Sequence, residues 1–143
     1  MLFLNKNVCI TIKSTQTVDN SKDTTELFTF GRMESTDGGF KLYYDESEAT
    51  GFEGSSVTLD VMQDSVTMMR SGKAMSTLII ERGKKHHCHY GTEFGEFMIG
   101  ISTDEIKNGL SESGGDIYLK YTLDINSSFM SENEMFINVK ECN

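Results

Sequence analysis

The amino-acid sequence predicts an all-β protein, a single up-and-down antiparallel barrel of about ten strands, from three observations. Apolar and polar residues alternate along short segments, as in 55–61, where Val57, Leu59 and Val61 are separated by polar residues. Short polar or glycine-containing breaks separate these segments, as hairpin turns do. No segment of useful length has the apolar spacing of a helix. A two-sheet sandwich is the alternative architecture.

The predicted strands follow one another along the whole chain, centred on a meander between residues 55 and 90. Asp37-Gly38 is a strong hairpin signal before it. The stretch 48–54 is the one place before residue 105 where an irregular loop or a single helical turn is expected. The predicted strands cover 7–16, 24–34, 40–46, 55–62, 65–71, 75–82, 85–90, 94–108, 116–125 and a last segment through Met135, Ile137 and Val139.

The length of the chain predicts that all of these strands belong to one domain, residues 1–143. A domain of this size can bury a hydrophobic core without needing disulfides or metal ions for stability. The net charge of −9 disfavours nucleic acid and anionic membranes as partners, because both are bound through Lys and Arg. A basic cluster, 82–87, is interpreted as a solvated hairpin tip. No apolar run is long enough for a signal peptide or a membrane span.

The three cysteines, Cys9, Cys88 and Cys142, cannot all pair with one another, and none lies in a CxxC spacing. Cys9 and Cys142 lie near the two ends of the chain, and they could approach each other if the first and last strands close the barrel. We expect a cytoplasmic protein with reduced thiols.

A set of spaced residues extends over nearly the whole chain: Tyr44, Glu46-Ser47, Thr50-Gly51, Glu53-Gly54, Arg70, Gly72, Ser76, Glu81, Gly83, Tyr90, Thr92 and Gly95, and near the end Gly115, Tyr118, 121–123 and 131–133. In its order and spacing this set resembles the YwiB-like family of small bacterial proteins. The resemblance implies a calycin-like, lipocalin-resembling closed barrel of eight to ten strands, with no known function and no reaction or ligand.

Arg70 is the most informative polar residue, because it shares one face of its strand with Val66 and Met68. If the apolar residues point inward, the guanidinium does too, and a buried arginine needs a partner. The functional interpretation is an anchor for a ligand carboxylate or other anion. The alternatives are an internal salt bridge and a residue at the barrel mouth that reaches solvent. The predicted ligand-binding set is Arg70, Glu81, Glu46, Tyr44, Met68 and Met75.

Nine methionines, several of them in the central strands, suit either an adaptable apolar pocket or an irregular filled core. The segment His86-His87-Cys88-His89 could offer His87 and His89 to a metal, but no second cluster supplies further ligands. We therefore predict no metal and no cofactor. The sequence assembles no catalytic motif either, so an enzyme is not expected.

The leading functional hypothesis is a non-enzymatic cytoplasmic barrel that binds a small, partly apolar ligand, with an anionic end as an option. The alternative is a structural or regulatory interaction domain with a filled barrel, acting through its surface or as a homodimer. Exposed apolar residues such as Phe28 and Phe30 would then form the contact surface.

Overall fold

A computed structural model shows ten antiparallel strands in one closed barrel, so the predicted fold is confirmed and the sandwich alternative is wrong. The structure describes residues 4–47, 53–73, 75–92, 95–125 and 128–142. The strands are β1 (Asn5–Val18), β2 (Ser21–Thr36), β3 (Gly39–Asp45), β4 (Ser55–Val61), β5 (Ser65–Gly72), β6 (Ser76–Glu81), β7 (Lys85–Thr92), β8 (Gly95–Asn108), β9 (Gly114–Ile125) and β10 (Ser128–Glu141).

Each strand pairs with its neighbours in the sequence, and the pair β1–β10 closes the barrel. The connections β1/β2, β3/β4, β5/β6, β7/β8 and β9/β10 therefore lie at one end, which we call the mouth. The remaining connections lie at the opposite end. The stretch 48–54, for which a loop or a single helical turn is predicted, follows β3 in the sequence, and its residues 48–52 lie outside the described residues.

Strict alternation decides which residues fill the interior. In β4, Val57, Leu59 and Val61 are all buried, as predicted. In β2, Leu27 is buried while Phe28 and Phe30 point outward and are 63% and 71% exposed. Apolar side chains fill the barrel away from the mouth, where these residues are all fully buried: Val8, Ile10, Met33, Leu42, Val61, Val66, Ile80 and Ile101.

The β1/β2 hairpin is tighter than the sequence suggests. Asp19 and Asn20 alone make the turn, both with positive φ (49° and 68°), and Val18 already pairs with Ser21. Asp and Asn tolerate this left-handed conformation better than most other residues do. Both strands are therefore longer than the predicted 7–16 and 24–34, and they extend the barrel wall toward the mouth.

Closure of the barrel brings the two ends of the chain together, because Cys9 lies opposite Lys140 in the β1–β10 register. Cys9 and Cys142 form a disulfide with a Cα–Cα distance of 5.6 Å. The expectation of reduced thiols is therefore wrong for these two cysteines. Cys88 lies outside the disulfide and is buried.

No helix long and apolar enough to cross a membrane occurs in the part of the chain that the structure describes.

Candidate functional site

A row of residues from five consecutive strands crosses the inner wall toward the mouth. Tyr44 lies opposite Val57, Val57 opposite Arg70, Arg70 opposite Ser76, and Ser76 opposite Tyr90. Because residues in register share one face of an antiparallel sheet, burial of Val57 and Tyr44 directs Arg70 inward as well. The inward direction of Arg70 that the sequence predicts is confirmed.

Arg70 forms a buried ion pair with Glu46, the residue that follows β3. One terminal nitrogen of the guanidinium lies 3.0 Å from a Glu46 carboxylate oxygen, and the other donates to the Ser76 hydroxyl at 3.4 Å. The side chains are only 9% and 3% exposed, respectively. Separating the two side chains would leave each charge buried without its partner. Because a buried, unpaired charge costs several kcal/mol, the pair stays together.

The ion pair lines a cavity of about 300 Å³ inside the mouth half of the barrel. This volume lies at the small end of the range for ligand pockets. The barrel is therefore filled at one end and open at the other. The aliphatic and methionine side chains that line the cavity are Ile12, Leu27, Met68, Leu78, Ile99, Leu123, Met130 and Met135.

A second row of inward positions supplies polar groups on the opposite wall. Tyr121 lies opposite Asn133, Asn133 opposite Gln16, and Gln16 opposite Asp23. All four line the cavity. Tyr121 is almost fully buried, whereas Asp23 is exposed at the rim, so polarity increases toward the mouth.

Two of the cavity tyrosines stay neutral at unusually high pH. Burial raises the pKa of Tyr121 to about 12, although the Arg70 charge acts in the opposite direction. Burial, and then the Glu46 carboxylate, raise the pKa of Tyr44 well above its usual range. These hydroxyls therefore remain protonated at neutral pH and can both donate and accept hydrogen bonds.

These raised pKa values predict a loss of stability in alkali. Above about pH 10 the unfolded chain releases tyrosine protons that the folded protein retains, so the free energy of unfolding falls as the pH rises. For Tyr121 the loss extends from about pH 10 to about pH 12, at roughly 1.4 kcal/mol per pH unit. Urea unfolding measured across this window should show a clearly shallower decline in Tyr121→Phe. Equal slopes in the two proteins would contradict the assignment.

Two predicted site residues are not part of the cavity. Strand β6 directs Ser76, Leu78 and Ile80 inward, so Glu81 lies on the opposite phase. Its carboxylate accepts a hydrogen bond from the His86 ring at 2.9 Å, which lowers the pKa of Glu81. Met75 precedes the strand and is 67% exposed. The remaining predicted residues, Arg70, Glu46, Tyr44 and Met68, all line the cavity.

The histidine-rich segment does not converge on a metal site. Cys88 is buried and His86 half-buried, while His87 and His89 are exposed on the other face, as the alternation predicts. No group of three or more His, Cys, Asp or Glu side chains suited to a metal ion occurs among the described residues.

Comparison with known proteins agrees with the fold. A crystal structure of the ywiB protein from Bacillus subtilis superimposes with a TM-score of 0.82 and 22% sequence identity, covering 97% of this chain and 94% of that one. At this identity the likeness is one of fold. No curated protein matches the chain.

The sequence itself matches a family model over residues 10–137, which include all but the outermost parts of β1 and β10. The family is described as a domain of unknown function, DUF1934. The resemblance to the YwiB-like family is confirmed, and the ten-strand barrel fits the calycin-like fold which that resemblance implies. The chain belongs to the DUF1934 family.

Proposed function

We propose that this protein binds a small, partly apolar molecule inside the mouth half of the barrel and catalyses no reaction on it. The observation that carries the proposal is the cavity of about 300 Å³ with the buried Arg70–Glu46 pair in its wall. Burying two charges is costly, and an apolar pair of similar volume would often serve stability equally well. A buried pair that faces open space is better explained by recognition of a polar group.

The chemistry of the lining supports a ligand with one apolar and one polar part. Leu27, Leu78 and Ile99 offer apolar surface, and Met68 adds a side chain that adapts to irregular shapes. A few convergent polar groups in a mainly apolar pocket are typical of small-molecule sites. An anionic ligand has less support than the sequence suggested, since it would have to share Arg70 with Glu46.

Native mass spectrometry of freshly purified protein tests this proposal. We expect a reproducible extra mass on the folded protein that disappears when the same sample is denatured. The matched control is Leu78→Trp, because the larger side chain would fill the cavity from its apolar wall. The chain contains no tryptophan, so indole fluorescence of this variant also reports whether the cavity is dry. A bare mass for the wild-type protein would contradict the proposal.

A second candidate function, interaction through the outer surface, is favoured by a group of aromatic residues outside the barrel. We call Phe28, Phe30, Tyr118 and Phe136 the outer aromatic face. The Phe28 and Phe30 rings meet edge to face at 5.6 Å, and those of Tyr118 and Phe136 at 4.6 Å. Phe136 is 53% exposed. Exposed apolar surface of this kind is typical of contact sites, and a homodimer is the simplest use.

Replacing Phe28 and Phe30 together with serine is expected to reduce self-association without lowering the unfolding temperature. Both rings are mostly exposed, so their removal sacrifices little burial within the monomer. Sedimentation velocity across a concentration series measures the effect. Met75→Ser is the control, because Met75 is exposed to a similar degree outside this face. An unchanged mass distribution would count against the outer aromatic face.

The cytoplasmic location stays a prediction, and the Cys9–Cys142 disulfide weighs against it because disulfides seldom persist in reducing compartments. Trapping free thiols in intact cells before lysis would show whether the two cysteines are oxidised there. The expectation that the protein binds neither nucleic acid nor membranes also stays a prediction from its net charge of −9.

A further inference from the structure

The polar wall of the cavity carries two opposite charges that offset each other. Arg70 and Glu46 both line the cavity, and both side chains are more than nine-tenths buried. Of the other acidic residues in the lining, Asp23 is exposed to solvent at the rim. Glu134 interacts with the Tyr118 hydroxyl, on the outer surface. Among the residues that the structure describes, the charges at the buried part of the wall therefore sum to zero.

This balance disfavours a ligand with a net charge. An incoming carboxylate would gain Arg70 but face the Glu46 carboxylate beside it. An incoming ammonium would gain Glu46 but face the guanidinium. In either case the ligand charge loses its hydration and enters a site where the two protein charges already neutralise each other. Its desolvation cost is therefore not compensated.

The ion pair is well suited to a different kind of group. A guanidinium offers only donors and a carboxylate only acceptors, so the pair presents a donor and an acceptor side by side. The Ser76 hydroxyl also contacts the guanidinium, and the hydroxyls of Tyr44 and Tyr121 can act in either role. Two adjacent complementary atoms on a ligand would match this wall and leave both protein charges in place.

We propose that the ligand presents a neutral edge with adjacent hydrogen-bond donor and acceptor, as in a carboxamide, lactam or urea, to Arg70 and Glu46. This inference rests on the proposed ligand-binding function and specifies its chemical class. The remainder of the ligand is apolar and lies against Met68 and Leu78. Sites that hydrogen-bond a polar group reject analogues that lack it, because buried groups are then left unmatched.

Four probes with one phenylpropyl skeleton test the class directly. They are 3-phenylpropanamide, 3-phenylpropanoate, 3-phenylpropylammonium and propylbenzene. Affinities are measured at neutral pH by the protein-detected NMR shifts of the cavity residues. We expect the amide to bind at least about tenfold more tightly than any of the other three probes. Equal affinities, or tighter binding of either charged probe, would overturn the inference while leaving cavity binding intact.

Variants separate this failure from a failure of the proposed function. In Arg70→Met/Glu46→Leu the wall keeps its volume and loses both charges, so the amide should lose its advantage over propylbenzene. In Leu78→Trp all probes should lose binding. If Leu78→Trp does not fold, Met68→Trp takes its place as the cavity-filling variant. Absence of binding by every probe to the wild-type protein, or binding that persists in both tryptophan variants, would overturn binding in the cavity itself.

Discussion

Arg70→Ala is expected to lower the free energy of unfolding by about 3–5 kcal/mol, because it leaves the Glu46 carboxylate buried without the guanidinium. This loss is a large part of the roughly 5–15 kcal/mol by which a typical domain is stable. Urea denaturation followed by far-ultraviolet circular dichroism measures it. The outer-surface pair Arg82–Asp64 has the same type of geometry, at 3.1 Å, but both side chains are more than half exposed. Asp64→Ala should therefore cost only about 0–1 kcal/mol.

Removing both charges distinguishes a burial penalty from a loss of packing. Arg70→Met/Glu46→Leu leaves no unpaired charge, so its stability should be close to that of the wild-type protein and well above that of Arg70→Ala. If the double variant were as unstable as the single one, the ion pair would not be the reason for the loss. Near-equal stability of wild type and double variant would also show that the pair is not needed for folding, which is the result that a recognition role requires.

Cys9→Ser/Cys142→Ser is expected to lower stability by about 4–5 kcal/mol in the chain-entropy description, since the disulfide joins residues 133 positions apart. For a domain of this size the unfolding temperature should fall by about 10–15 °C. The reason is that the crosslink restricts the unfolded chain far more than the folded one, in which the pairing of β1 with β10 already holds the two residues close together.

A reductant provides the matching test on the unmodified sequence. It should lower the unfolding temperature of the wild-type protein by the same amount and leave that of the double serine variant unchanged. Cys88→Ala is the control, because Cys88 takes no part in the disulfide, and this variant should respond to reductant as the wild type does. If the wild-type protein unfolded at the same temperature with and without reductant, the result would contradict a stabilising role of the disulfide.

The strand order could be predicted from the sequence because almost every element is marked locally. Short breaks such as Asp37-Gly38 set the hairpins, and the alternation of Val57, Leu59 and Val61 sets the faces. The inward direction of Arg70 followed from the same rule, since Val66 and Met68 precede it at intervals of two. Glu46 shares the phase of Leu42 and Tyr44, so the predicted set contained it, but the sequence left the partner of Arg70 open between Glu46 and Glu81.

The part of the site on β6 could not be predicted in this way. Leu78, Ile79 and Ile80 are consecutive and apolar, so alternation alone does not say which phase faces inward. The register with β5 determines the inward face, because Arg70 lies opposite Ser76 and the two residues share that face. Glu81 and Met75 were therefore assigned to the wrong face, and the contact of Ser76 with Arg70 was missed.

The opposite wall was missed for a different reason. Tyr121 carried a usable signal, because it continues the alternation of Leu119 and Leu123 and must share their face. Nothing in the sequence indicated that Asn133 and Gln16 face the cavity, since polar residues near strand ends more often face solvent. Their proximity to Tyr121 depends on the pairings of β10 with β9 and β1, which periodicity within a single strand does not reveal.

The pairing of β1 with β10 also has a kinetic consequence. Every other strand pair joins neighbours along the chain and can form by extending a hairpin, at a small entropic cost. The β1–β10 pair must bring together the first and last strands, and half of the polar cavity wall exists only once it forms. The barrel should therefore acquire most of its strands before it acquires a complete site, so ligand binding should follow, not guide, the final closure.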